Sequence, residues 1–296
     1  MVLESIINPA NAENRPKILV FIGFVYVSLA MFLSYMIFEE YSSLFMVFLA
    51  TIASIPLIYR IIKLEEEKDL TDVSEVFLLK EHWKALSAFM YLFLGAVLSF
   101  VFWYSVLPSS TISTLFESQT STILSINGKY ALDENNSEIT GKVITGEATS
   151  FGVFSKIFFN NIKVLLFCIL FSFLYGAGAI FILLWNASVI GAAIGMFIRN
   201  SLSEIFLITG NLTIADYFSV VSIGLTKYII HGFPEILAYF VGALAGGIIS
   251  IAVINHDFST RKFEHILVDA ADLLMLSIFL IFLAALLEVY VTPLIF

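Results

Sequence analysis

The chain has 296 residues, 59% of them hydrophobic and only 13% charged, with a net charge of −9. Soluble domains carry roughly 25% charged residues, so a surface this poor in charge must face lipid over most of its area. The acidic balance excludes a nucleic-acid partner, which needs clustered Lys and Arg. The single cysteine, Cys168, excludes an intrachain disulfide and a cysteine-based metal cluster.

The first 17 residues are polar. The apolar run after them is too long for a signal core and lacks a small-residue cleavage site, so no cleavable leader is expected. A first span is predicted at Lys17–Phe38 and a second at Leu44–Ile62, and the short EEYSS connection makes them an antiparallel hairpin. Acids and lysines at helical spacing over Ile61–Lys84 predict a water-exposed connecting helix. The third span, Ala85–Leu107, stops at Pro108. From Ser109 to Ser150 the composition turns to Ser, Thr, Asn and Gly, with turn and strand signals that predict a small water-soluble cap. A fourth span follows at Asn161–Trp185 and a fifth at Ala187–Ile208, the fifth interrupted by Arg199 and Glu204 and readable as a re-entrant hairpin. An amphipathic stretch, Ile214–Ile230, leads to a sixth span at Pro234–Ile254 and a seventh at Ile266–Ile295.

The fold class is therefore an all-α polytopic membrane bundle of about seven transmembrane helices. Residues 1–66 form an N-terminal transmembrane hairpin, and residues 67–296 a five-helix core with an extracytoplasmic loop over 108–155. Nine of the fifteen basic residues fall on the side that holds the N-terminus: Arg15, Lys17, Arg60, Lys63, Lys68, Lys80, Lys84, Arg261 and Lys262. That bias predicts a cytoplasmic N-terminus and an extracytoplasmic C-terminus in a cell membrane.

Chemistry concentrates in YIIHGFPEILAYFVGALAGG, Tyr228–Gly247. His231 and Glu235 lie four apart on one helical face, a spacing that also suits metal ligands. A second histidine in an HExxH pattern is missing, so the sequence leaves the metal question undefined, and no cofactor is expected. Gly232 and Pro234 predict a helix break at HGF with a new helix starting at Pro234. The backbone groups freed there need partners inside the protein. His231 and Glu235 are placed to supply them, either as structural glue or as a binding site, together with the amides Asn160, Asn161 and Asn186. Glu288, late in the last span, is a further candidate for a buried acid, the alternative being that it reaches the outer interface. Gly176, Gly191, Gly195, Gly232, Gly242 and Gly246 predict close helix packing, within one chain or across a homodimer.

At these residues the sequence resembles the stage II sporulation protein M (SpoIIM) family. The resemblance rests on FFNNIKVLLFCILFSFLYGAGAIFILLWNASVIGAAIG and HGFPEILAYFVGALAGG, with Asn160, Asn161, Gly176, Asn186, Gly191, His231, Gly232 and Glu235 at the matching positions. It covers Lys80 to Phe296. Ile230 stands where a Pro commonly precedes the His, and Ala187 where a Gly commonly follows the Asn. The resemblance implies a membrane scaffold, since sporulating members organise a complex that remodels peptidoglycan. Membership in itself implies no molecular activity outside sporulation. The expected function is thus an integral membrane scaffold for unidentified membrane or envelope proteins, with the lipid bilayer as solvent. A transporter or channel using the broken helix is the alternative, and an intramembrane metal-dependent hydrolase the second.

Overall fold

The computed structural model describes residues 16–69, 75–131, 147–175, 179–254 and 261–295, and within these every regular element is helical. Helix α1 (Ile18–Phe38) is joined by a 3-10 turn (Glu39–Tyr41) to α2 (Ser42–Asp69). There follow α3 (Glu75–Val106), two shorter helices α4 (Ser109–Leu115) and α5 (Glu117–Ala131), then α6 (Glu147–Tyr175), α7 (Ala179–Thr209) and α8 (Ile214–Ile254). Helix α9 (Arg261–Leu286) runs through a π-turn (Leu287–Val291) into α10 (Thr292–Ile295). Among the described residues six stretches are long and apolar enough to cross a membrane, and the first, Ile18–Ile61, holds α1 and α2 as far as Ile61, two helices that pack against each other. The protein is an all-α polytopic membrane bundle.

The hairpin α1–α2 is fastened to the rest at a backbone-to-backbone contact. A Cβ added to Gly23 would collide with the carbonyl oxygen of Leu92, and one added to Gly95 with that of Val20. Two helices come this close only where both lack side chains. Above that contact Ser28 and Ser99 share a hydrogen bond of 3.1 Å, and the Trp103 indole N–H donates to Ser28 Oγ at 2.9 Å. The other glycine faces are also filled from within the chain. Gly191 and Gly195 receive Phe100 and Tyr104 of α3, and Gly242 and Gly246 receive Leu165 and Ile169 of α6. A homodimer expected from those faces would have to use another surface. Gly232 departs from the set, since an added Cβ there meets nothing within 4 Å.

Several boundaries differ from the expected ones. The region after Pro108 opens as helices α4 and α5, with no strand among the described residues, and residues 132–146 lie outside the description. Ile112, Leu115 and Phe116 recur at helical spacing and are buried, so the segment docks instead of standing as a solvated cap. Gln119 is fully buried, donating to Ser43 O at 3.0 Å and Ser188 Oγ at 3.1 Å. The expected boundary at Asn186 is absent. Helix α6 ends at Tyr175, α7 begins at Ala179, and Asn186 lies within α7 with its amide donating to Ile182 O at 2.8 Å. Gly176 falls outside the described residues.

Helix α7 is continuous, so the fifth span is not a re-entrant hairpin. Arg199 explains how a charge is carried there: its guanidinium donates to Leu107 O and Ser109 Oγ, each at 2.8 Å, and caps the C-terminal end of α3. The turn to α8 is built from Gly210, at φ +72°, and a capping box in which Thr213 and Asp216 bond reciprocally. Most of the connector after the second span is helical, and the exposure of side chains 62–82 lies outside the description.

The contact at Gly23 and Gly95 generates a prediction. Alanine at either position should cost about 1–3 kcal/mol through overpacking and lower the thermal midpoint in detergent by several degrees. Gly152→Ala, where a Cβ meets nothing within 4 Å, should leave the midpoint unchanged or raise it. Equal midpoints for all three variants would contradict the contact.

Candidate functional site

Helix α8 runs unbroken through HGFPE, with Pro234 in its interior. The expected break is corrected on energetic grounds. Proline removes one N–H from the helical ladder and disturbs the carbonyl four residues earlier, that of Ile230. A full break would strand several backbone groups in a medium that offers no water. Continuity is the smaller cost. It also puts His231, Glu235 and Tyr239 on one face of α8 at intervals of four.

That face meets α6 and the π-turn and α10 that follow α9. The Tyr239 hydroxyl donates to Glu235 Oε1 at 2.8 Å, and the Asn161 side chain adds a hydrogen bond to the same carboxyl. Asn161 and Tyr239 are buried, the latter completely. Glu288 lies near enough to interact electrostatically with both Glu235 and Tyr228. It is held there by the π-turn, a register change that recurs at functional sites. Thr292 stabilises the turn by donating its backbone N–H and its hydroxyl, the latter at 3.0 Å, to Leu287 O. The same hydroxyl lies 3.4 Å from His231 Nδ1. Pro293 follows, with no N–H to offer the preceding turn.

The structure therefore brings His231, Glu235 and Asn161 into one neighbourhood and adds Glu288, Tyr239, Tyr228 and Thr292. His231 makes its contact with Thr292, and among the described residues no hydrogen bond joins it to Glu235 or to an asparagine. Asn160 is exposed and reaches only the neighbouring Asn161 side chain, at 3.5 Å. Asn186 is spent on its own helix. Tyr239 and Thr292 were readable as polar residues four positions from Glu235 and Glu288, whereas the π-turn left no sequence signal. Lys227, one turn from His231, acts on it electrostatically and sits over the Phe197 ring at 5.6 Å.

Chemically, two carboxyls, an imidazole and two phenols can share a proton or a cation. In a low-dielectric bundle such sharing costs less than two bare negative charges. Among the described residues no group of three or more His, Cys, Asp and Glu is arranged to hold a metal ion. Beside the cluster, a cavity of about 530 Å³ lies between α3, α7 and α8. It is lined by apolar side chains such as Met90, Leu94, Ile194 and Ile229, with Gly232 and Tyr228 on the side toward the cluster.

A family model described as Stage II sporulation protein M matches residues 88–293. No curated protein and no solved structure matches the chain.

The geometry makes the Glu235–Tyr239 bond a coupled pair. In a double-mutant cycle, Glu235→Gln and Tyr239→Phe should show a coupling of about 0.6–1.7 kcal/mol, the range of interhelical and intramembrane hydrogen bonds. Asn186→Ala combined with Glu235→Gln should be additive. Additivity in both cycles would remove the bond from the account.

Proposed function

The chain belongs to the stage II sporulation protein M family, and from that membership we propose that it is an integral membrane scaffold organising envelope-associated partner proteins. The observation that carries the proposal is how the intramembrane polar groups are used. The hydrogen bonds of Glu235, Asn161, His231 and Thr292 tie α6, α8 and α10 together, and the large cavity alongside is apolar. A bundle cross-braced in this way suits a rigid platform. It offers partners its outer helix faces and the segment after Pro108. The approach of Glu235 to Glu288 favours a second reading, in which the pair passes a proton or cation across the membrane.

The proposed orientation has the N-terminus cytoplasmic and the C-terminus extracytoplasmic, supported by the concentration of Lys and Arg before α1, in the last turns of α2 and the first turns of α3, and in the first turn of α9. It puts the turn between α7 and α8 outside.

Two measurements test these readings. In a Cys168→Ala background, a cysteine at Asn211 should react with an impermeant thiol reagent on intact cells and one at Ser259 should not. The reverse pattern would overturn the orientation. Proteoliposomes holding the full chain should dissipate imposed proton or potassium gradients no faster than empty vesicles. A flux that Glu235→Gln abolishes would replace the scaffold with a transporter.

A further inference from the structure

Helix α6 has two polar faces, and the cluster uses only one of them. Asn161 points inward to Glu235, while its neighbour Asn160 is exposed. Lys156, Asn160 and Lys163 follow at intervals of four and three, all exposed, and so share one outward face. The exposed side chains Phe159, Leu166 and Phe167 flank them. This is also the least covered of the six apolar stretches, with 22% of its window buried against 61% for the one in α3.

Lys163 is the residue that demands an explanation. It lies sixteen residues from the start of α6 at Glu147 and twelve from its end at Tyr175, which is about 24 and 18 Å along the axis. Lysines near helix ends carry their ammonium groups out to the headgroups. A lysine near the middle of a span is too deep for a lipid phosphate to serve it. Lys163 makes no hydrogen bond or ion pair with a described residue, and Asn160 has only its 3.5 Å contact. An exposed ammonium and amide in the middle of a span are costly against hydrocarbon, and such groups characteristically pair with other groups inside a bundle.

We infer that the Lys156–Asn160–Lys163 face of α6 docks a transmembrane helix of another protein, one that carries an aspartate or glutamate near its midpoint. The inference rests on the scaffold reading and names the surface and the partner chemistry that reading needs. A second copy of this chain fits the face poorly. Packing α6 on its own copy around a twofold axis would set Lys163 against Lys163. The exposed acids Asp269 and Asp272 of α9 stand at another depth. Gly242 faces both Leu165 and Ser277, which levels those two residues and puts Lys163 and Asp272 about 10 Å apart along the membrane normal. The partner's acid must supply the charge, its apolar residues the contact with Phe159 and Leu166, and a polar group the partner for Asn160.

The test uses the full chain in lipid nanodiscs with synthetic leucine–alanine helices that differ only at the central residue: Glu, Gln or Lys. Energy transfer between labelled helix and labelled chain reads association. The Glu helix should associate at least tenfold more tightly than the Gln helix. Lys163→Met should erase that difference while leaving the thermal midpoint in place, and Lys163→Glu should shift the preference to the Lys helix. Equal association of all three helices, or a Glu preference that survives Lys163→Met, would overturn the inference. So would chain-to-chain cross-linking through a cysteine at Leu166 in place of helix binding. If partner proteins in cells depend on this chain for assembly but tolerate Lys163→Met, the face is wrong and the scaffold reading stands. If they assemble without the chain at all, the scaffold reading itself fails.

Discussion

In hydrocarbon a polar group finds a partner inside the protein or pays several kcal/mol for lacking one, and most of this architecture follows from that condition. It keeps α8 helical through Pro234, because a break would release more backbone groups than one proline disturbs. It aims Tyr239 and Asn161 at Glu235. It turns Arg199 back onto the last carbonyls of α3 and closes the Asn186 amide onto its own helix. Many Thr and Ser hydroxyls behave the same way, as Thr51 and Ser54 show by donating to carbonyls four residues back; Ser277 Oγ and Gln119 Oε1 are the buried side-chain atoms without a partner among the described residues.

Glycines set the second layer of organisation. Where two helices meet at Gly23 and Gly95 the backbones nearly touch, and van der Waals contact replaces the hydrophobic drive that is missing between helices in lipid. That contact matters for how the chain is divided. The family match begins at residue 88, so the α1–α2 hairpin precedes it, yet α1 is packed on α3 as closely as any pair inside the matched region. Phe32 against Trp103 and Phe24 against Phe102 extend the same seam. The hairpin is part of one bundle.

Much of this is legible in the sequence. Runs of apolar residues mark the spans, Pro108 stops α3, and the need of Glu235 for an internal partner follows from its cost in hydrocarbon, although the sequence leaves that partner open among His231, Asn160, Asn161 and Asn186. What escaped the sequence did so for physical reasons. A proline after a glycine reads as a break in water, where released carbonyls are solvated, but the membrane reverses that preference. The run of Ser and Thr after Pro108 suggests a solvated cap, and only Ile112, Leu115 and Phe116 at helical spacing betray a docked helix. Gly23 and Gly95 are single glycines on different helices, and one chain gives no hint that they meet. The π-turn that delivers Glu288 is a change of hydrogen-bond register, which composition does not encode.

The central claim is that Glu235 and Glu288 face the packing of α6, α8 and the π-turn after α9, where Tyr239 and Asn161, and not water, serve the Glu235 carboxyl. Substituted-cysteine accessibility tests it most directly. In a Cys168→Ala background, single cysteines at positions 235 and 288 would be exposed to a small charged thiol reagent from each side of the membrane in turn, with folding checked by the thermal midpoint. The account predicts that neither cysteine reacts from either side while a control at Asn211 reacts fully. Rapid modification of position 235 or 288 in the folded protein would reveal a water path to the carboxyls and contradict it.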